Sequence, residues 1–444
     1  MHQKIRNFIA VFILVILLLV GCEGESLVEG LFSQEIKTPE SIGTTEHIKT
    51  SVALKSIETP EPTVDVSGKV ILTIWAPSMF SPNTDSNQIA MFYQRLNDFE
   101  KENSQVKINV RIKASSGPGS LLATLINADL VAPQAKPSLV ILPQTDMEDA
   151  AREGVIYPIG DYSTAIDSSD WYEYARELAL FDGVPYGLPW IADALIIVAN
   201  SEIIGDNIAT WSDIQRQSSL LYIPANDPNA IVLNALYLSA GGKILDQQGN
   251  PTIQPEILEQ VLAQIDIGVK RGIFSANLMN YQTNEQIWQL LQDGQADWVV
   301  TWMRHYLQSN IKSQGAIQLP SMGTEPYSLA TGWLLCLSEN DPQTAKWSMQ
   351  LAEYLTAEEF LIEWTYAAGY LPVRPSSVLG WQDSASLNTI KQILISAHAK
   401  PENELLSSLG PILRESLQSV LEQREDPGIA AQTAFEQLEE TTTE

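Results

Sequence analysis

The chain has 444 residues, 54 of them acidic against 26 basic, for a net charge of −28. A surface this acidic repels phosphate backbones and anionic lipid heads, which excludes a nucleic-acid binder and a protein held to membranes by broad electrostatics. Hydrophobic residues make up 45% and aromatics 8%, enough for the cores of two ordinary domains and too much for global disorder.

Lys4 and Arg6 precede an unbroken apolar run from Phe8 to Val20, and Gly21-Cys22 follows at once. The run is shorter than the ~20 residues a helix needs to cross a bilayer core. Basic, apolar and small-residue parts in this order predict a secretory signal over 1–22. The cysteine after the small residue resembles a bacterial lipobox, in which the acylated Cys22 becomes the new N-terminus. An ordinary signal with an incidental Cys, or an uncleaved anchor, is the alternative. Residues 23–68 are rich in Glu, Thr, Ser, Lys and Pro, with Phe32 the only aromatic. They predict a disordered tether with a root-mean-square span of roughly 35 Å.

Folded sequence begins near Lys69. Val70 to Trp75 predicts a strand, and Ile89, Phe92, Tyr93, Leu96 and Phe99 fall at helical spacing after it. Val106 to Ile112 alternates as a half-buried strand does. Gly117 to Ser120 reads as a turn into a helix over Leu121 to Leu130, and Ser138 to Leu142 as a third, apolar strand. Strands alternating with helices predict a parallel α/β sheet. Further on, Ile257, Leu258, Val261, Leu262 and Ile265 share a helical face. Thr283 with Gln286, and Thr356 with Glu359, have capping-box spacing, with Gly294 and Gly369 as stops. Asp426-Pro427 predicts a helix start. Cys22 and Cys336 are the only cysteines. The apolar run around Cys336 predicts a buried thiol, and no intrachain disulfide framework is implied.

Signals for catalysis are weak. The four histidines are His2, His47, His305 and His398, none in a metal-ligand spacing, and neither a G-x-S-x-G elbow nor a phosphate loop with its Lys occurs. No cofactor, no metal and no catalytic residue are therefore expected, although a hidden carboxylate pair for glycoside hydrolysis stays open. Tryptophans near turns stand out: Trp75, Trp190, Trp302 and Trp333. Each also reads as a core ring. In open α/β sheets, ligands bind beyond the carboxyl ends of strands. Trp75, Ser115 and Gln144-Thr145-Asp146 all follow predicted strands. Flat rings beside polar side chains suit a neutral, hydroxyl-rich ligand, because rings cover C–H faces while polar groups orient hydroxyls.

Six segments, in order, resemble the family 1 extracellular solute-binding proteins, the sugar-binding lipoproteins of ABC importers typified by maltose-binding protein. Asp182 to Trp190 (DGVPYGLPW) is similar to the family's G-x-x-Y-G-[IL]-P approach to the hinge, and Ala194 to Asn200 to its crossing strand. Thr210 to Ile214, Gly241 to Asp246, Asp293 to Trp302 and Tyr366 to Val373 match further family segments. The resemblance implies a two-lobed periplasmic-binding-protein-like α/β fold with hinge strands and an interlobe ligand cleft. Lobe one would take 69–191 and 331–357, and lobe two 192–330 and 358–440. It also implies an acidic sugar ligand at Asp193, a stacking aromatic at Trp302, a cleft loop at Gln144 to Asp146 and another at Asn226, Asp227 and Asn229. Two departures stand beside these matches. Lys136-Pro137-Ser138 replaces the usual Pro-Asp, and the loop at Asn226 lacks an aromatic.

The expectation is a lipid-anchored, extracytoplasmic, monomeric solute-binding protein that delivers a sugar to an ABC permease without covalent chemistry. A polyol, a glycosylated compound or a small organic ion are other solutes for the same fold. An extracellular sensor and a surface glycoside-cleaving enzyme are the other classes. With Asp193 in the cleft and no Lys or Arg among the favoured positions, the expected ligand is neutral.

Overall fold

The computed structural model describes residues 68–84, 86–200, 203, 208, 210–309, 313–323, 325–381 and 387–443. The predicted signal, Cys22 and the tether up to residue 67 lie outside the described residues.

The first half follows the sequence pattern closely. β1 (Val70–Pro77), α1 (Asn87–Glu102), β2 (Val106–Lys113), α2 (Leu121–Val131), β3 (Leu139–Pro143) and α3 (Gln144–Arg152) alternate. α1 buries Ile89, Phe92, Leu96 and Phe99, one stripe at helical spacing. Ser120 accepts a hydrogen bond from the Ala123 N–H, the cap its position predicts. β1 lies parallel to both β2 and β3. After α4 (Glu173–Leu178) comes a short hairpin, β4 (Leu180–Phe181) and β5 (Val184–Pro185), whose Asp182-Gly183 turn has φ of 51° and 74°. Positive φ at both positions is what a type I′ turn needs.

β6 (Gly187–Asn200) then runs for 14 residues, all buried but the last. Next come α5 (Trp211–Ile214), β7 (Leu221–Tyr222), α6 (Ile231–Ser239), α7 (Pro255–Arg271), α8 (Asn284–Gln292), β8 (Trp298–Trp302), α9 (Met303–Leu307) and β9 (Gln314–Gln318). The chain returns through β10 (Ser328–Leu337), α10 (Pro342–Leu355), α11 (Glu358–Ala368), α12 (Pro375–Val378), α13 (Leu387–Ile395) and β11 (Ala397–Ala399). It closes with α14 (Asn403–Leu421) and α15 (Pro427–Thr443).

Strand order is β2-β1-β3-β10-β6-β8-β7, with β11 beside β10 and β9 beside β6. The sheet is mixed, where alternation had predicted a parallel one. β10 is antiparallel to β3 and β6, and β6 is antiparallel to β8 and β9. β6 carries the chain out of one core and β10 carries it back, so the two neighbours run in opposite directions. Residues 187–194 of β6 pair with β10, and residues 195–200 pair with β8 and β9. The two strands approach closely at Gly332, where a Cβ would stand 2.6 Å from the Ile191 carbonyl oxygen. Only glycine fits that contact.

Two apolar cores result. The first gathers β1, β3, β6, α1, α3, α4 and α10 and reaches Ile287, Trp288, Val299 and Met303 of α8, β8 and α9; the second gathers Leu195, Ile197 and Ala199 of β6 with α6, α7, α14 and α15. Residues 358–394, grouped with lobe two on the sequence reading, bring Phe360, Leu361, Trp364, Leu371, Trp381, Ile390 and Ile393 into the first core. Trp364 stacks on Trp190 of β6 and on Phe80, and Arg95 of α1 lies over the Phe360 ring, pairings that chain order does not reveal. The capping box at Thr283 and Gln286 is present. The one expected at Thr356 is not: its hydroxyl donates back to the Ala352 and Glu353 carbonyls and closes α10, and Ala357 precedes α11 without a side-chain cap. Gly369 ends α11 with φ 67°. Cys336 is fully buried, and burial pushes its thiol well above the usual range.

Candidate ligand site

β3 ends at Pro143 and α3 begins at once with Gln144, so residues 144–146 are the first turn of a helix and not the loop expected. The Gln144 side chain is buried and its Nε2 donates to Glu148 Oε1 (2.9 Å) and to the Lys400 carbonyl (2.9 Å). Glu148, on the next turn, accepts at Oε2 from the Asn403 N–H (2.7 Å), the first residue of α14. A lobe-one helix is thereby tied to the start of a lobe-two helix. Burial raises the Glu148 carboxyl above its ordinary range, and the Asn403 bond, Lys400 and Gln144 hold it back.

Lys400 sits at this junction, its N–H donating to the Ala330 carbonyl beside β10 (2.7 Å). It is 8% exposed. Burial lowers its ammonium below the ordinary lysine range, and the nearby carboxylates of Glu148, Asp227 and Asp149 oppose that shift. Asp227 belongs to lobe two. Its Oδ1 accepts from the Asn229 N–H (3.1 Å) and its Oδ2 from the Ile231 N–H (3.0 Å), which fixes the loop ahead of α6. Gly410 of α14 packs on that loop, where a Cβ would meet the Pro228 carbonyl oxygen at 2.4 Å. Lys400 therefore draws together two groups that the sequence proposed separately, Gln144 and Asp227.

Beside them opens a cavity of about 670 Å³ between the lobes. Gln144, Glu148, Glu177 and Leu180 line it from lobe one, and Leu238, Leu245, Leu405 and Ser408 from lobe two, with Tyr327 and Lys400 at the strand junction. That size and its mix of apolar and polar walls suit a small-molecule site.

Asp193 forms a second cluster. Its Oδ1 accepts from the Arg304 N–H (3.0 Å) and the Ala194 N–H (3.0 Å), and its Oδ2 from Arg304 Nη1 (3.1 Å). Arg304 Nη2 also bonds Glu285. Asp193 is thus paired with an arginine that lies outside the positions favoured from the sequence. Arg304 lies two positions past the family's stacking position, on the first turn of α9, where periodicity gave no reason to place it. Burial nevertheless outweighs the arginine and raises Asp193 to about 6. His305 is stacked on Trp288 and hydrogen-bonded to Thr301 Oγ1 (2.6 Å). Burial, helped by Arg304, lowers it to about 4.

The remaining positions divide by burial. Trp190 is fully buried in a cluster of core rings, with Trp364 stacked at 4.5 Å and Phe80 at 5.1 Å, and those two 6.2 Å from each other. Trp75 is buried too, with Lys113 Nζ 4.2 Å from its ring centre. Trp302 and Trp333 are half-buried, against the second and first cores. Ser115 is exposed, 3.3 Å from Ser78 Oγ. The Asn226 N–H donates to the Tyr281 carbonyl (3.0 Å). Asp146 is half-buried, raised to about 6 by burial and by Asp149. Of the proposed residues, Gln144 alone lines the interlobe cavity. Lys400 was missed because a lysine before Pro401 carries no pattern in the sequence.

A family described as bacterial extracellular solute-binding protein matches residues 94–389. Among solved structures, the chain is similar to the cyclic α-maltosyl-1,6-maltose binding protein from Arthrobacter globiformis. The identity is 17%, covering 84% of this chain and 98% of that one, with a TM-score of 0.69. It is similar to the maltose-binding periplasmic protein MalE from Listeria monocytogenes in complex with maltose, at 15% identity, 85% and 98% coverage and a TM-score of 0.67. It is also similar to the GacH receptor of Streptomyces glaucescens GLA.O, at 17% identity, 83% and 97% coverage and a TM-score of 0.61. These likenesses establish the two-lobed periplasmic-binding-protein fold, and the family match over most of the folded region establishes that the chain belongs to the bacterial extracellular solute-binding proteins.

Proposed function

We propose that this protein is a lipid-anchored, extracytoplasmic binding protein that captures a neutral sugar between its lobes and delivers it to an ABC permease. The observation that carries this reading is the interlobe cavity, walled by both lobes and lined by apolar surface with a few convergent polar groups. The structural neighbours named for maltose and cyclic maltosyl-maltose support the sugar class. The basic, apolar and Gly21-Cys22 sequence supports export and lipid anchoring. Binding does the work: ligand contacts both lobes, selects the closed arrangement about β6 and β10, and the permease recognises that arrangement. The protein acts as a monomer and leaves its ligand chemically unchanged.

A thermal-shift screen with glucose, maltose, maltotetraose and trehalose tests the sugar class. A ligand present at 100 times its dissociation constant stabilises by ~2.7 kcal/mol. A rise in melting temperature with at least one of these sugars, recovered intact afterwards, is the expected result. Cleavage of the sugar during incubation would point to the glycoside-cleaving class instead.

A further inference from the structure

We infer that Lys400 and Gln144 are the polar grip on the ligand: the Lys400 ammonium donates to a hydroxyl or ring oxygen, and Gln144 Oε1 accepts from a neighbouring hydroxyl. This rests on the sugar-binding reading above and names the residues and the charge class of ligand within it.

Two orphaned groups in one cavity carry the argument. Gln144 Oε1 is buried and has no hydrogen-bond partner, although the same side chain's Nε2 makes two bonds. Lys400 is more than nine-tenths buried, and among the described residues its ammonium makes no hydrogen bond and no ion pair. Both residues line the interlobe cavity. A buried polar group without a partner costs free energy, and an ammonium on a cavity wall with no bonded acceptor is free to take one from a ligand. A donor and an acceptor left open together match a vicinal diol, which accepts with one oxygen and donates with the next.

The surrounding charge selects against anions. Glu148, Asp227 and Asp149 act on Lys400, so three carboxylates already face one ammonium. Exposed Glu177, Asp182, Glu402 and Glu404 line the opening, and among the described residues Glu404 alone of these four has an ion-pair partner, Arg152. A carboxylate or phosphate entering here meets net negative potential, whereas a neutral hydroxyl is indifferent to it.

Calorimetric titration of the wild-type protein and of Lys400→Met, with maltose, maltotetraose, trehalose, glucose and the carboxylate analogue maltobionate, tests the proposal. Methionine keeps the length and removes the donor. Lys400→Met is expected to weaken a bound neutral sugar at least tenfold while cooperative unfolding is kept, with some loss of melting temperature because Glu148 and Asp227 lose a nearby cation. Maltobionate is expected to bind the wild type more weakly than maltose or not at all. Affinity unchanged within twofold in Lys400→Met would overturn the assignment and leave the sugar reading standing. Loss of cooperative unfolding in Lys400→Met would make Lys400 structural and overturn it too. Tighter binding of maltobionate than of maltose would overturn the neutral class. If the wild type binds none of the neutral sugars, the sugar reading itself fails and this assignment falls with it.

Discussion

Tryptophans that look equivalent in sequence separate by what their faces touch. Trp190 is fully buried among Trp364 and Phe80, so Trp190→Ala opens a cavity in the first core. Removal of such a ring costs about 3–5 kcal/mol, readable as a lower urea midpoint. Trp302 ends β8 half-buried against the second core. Trp302→Ala is expected to shift the midpoint far less, and to weaken sugar binding by ~2–4 kcal/mol if its free face meets ligand. Titration with whichever sugar scores in the screen separates the two effects. Acidity is set at the same scale. An aspartate raised to about 6, as Asp146 and Asp193 are, holds its proton in the folded state where the unfolded chain, near ~3.9, has lost it. Stability from these groups therefore falls as pH rises from about 4 to 6. His305, lowered to about 4, works in the other direction, its share falling as pH drops from ~6.5 toward 4. Asp146→Asn should raise the melting temperature at pH 7 and leave it unchanged at pH 4. An equal rise at both values would contradict the burial argument.

At the level of elements, short-range signals and close contacts have different weights. Thr283→Ala removes a cap whose hydroxyl oxygen accepts from the Gln286 N–H, an expected loss of ~1 kcal/mol in chemical denaturation. Gly332→Ala drives a methyl group against the Ile191 carbonyl oxygen and against Leu178 at the crossing of β6 and β10. Overpacking of this kind costs about 1–3 kcal/mol or more, because the backbone oxygen cannot rotate away. Gly332→Ala should thus lower the denaturation midpoint more than Thr283→Ala. The capping box was readable at Thr283 because all its atoms lie within one turn. At Thr356 the same spacing misled, since the hydroxyl had a closer acceptor in the preceding turn.

For the whole molecule, two cores share one long strand, β6, and one return strand, β10. Pairing on β6 changes from β10 to β8 near Asp193 to Leu195, so closure of the lobes would bend the strand there. Ligand filling the interlobe cavity should reduce the radius of gyration measured by X-ray scattering, while a sugar that leaves it unchanged would argue against closure. On the proposed anchoring, Cys22→Ser should release the protein from the membrane fraction or block its processing. Retention and processing equal to wild type would refute the lipobox.

The sequence by itself determined what local physics decides. The strands β1 to β3, the helices α1 and α2, the turn at Gly117 and the cap at Thr283 all follow from periodicity and from side chains that satisfy neighbouring backbone. Order and spacing of short motifs determined the family. Tertiary structure alone decided which polar groups face one another. Arg304 reaches Asp193 across 111 positions, and Gln144 meets Lys400 across 256. Partnerships at such separation leave no periodic trace, because they are set by the crossing of β6 and β10 and by the return of residues 358–394 to the first core. The site depends on those crossings, so the helix-bound Gln144 was legible from its place after a strand, while the lysine it meets was not.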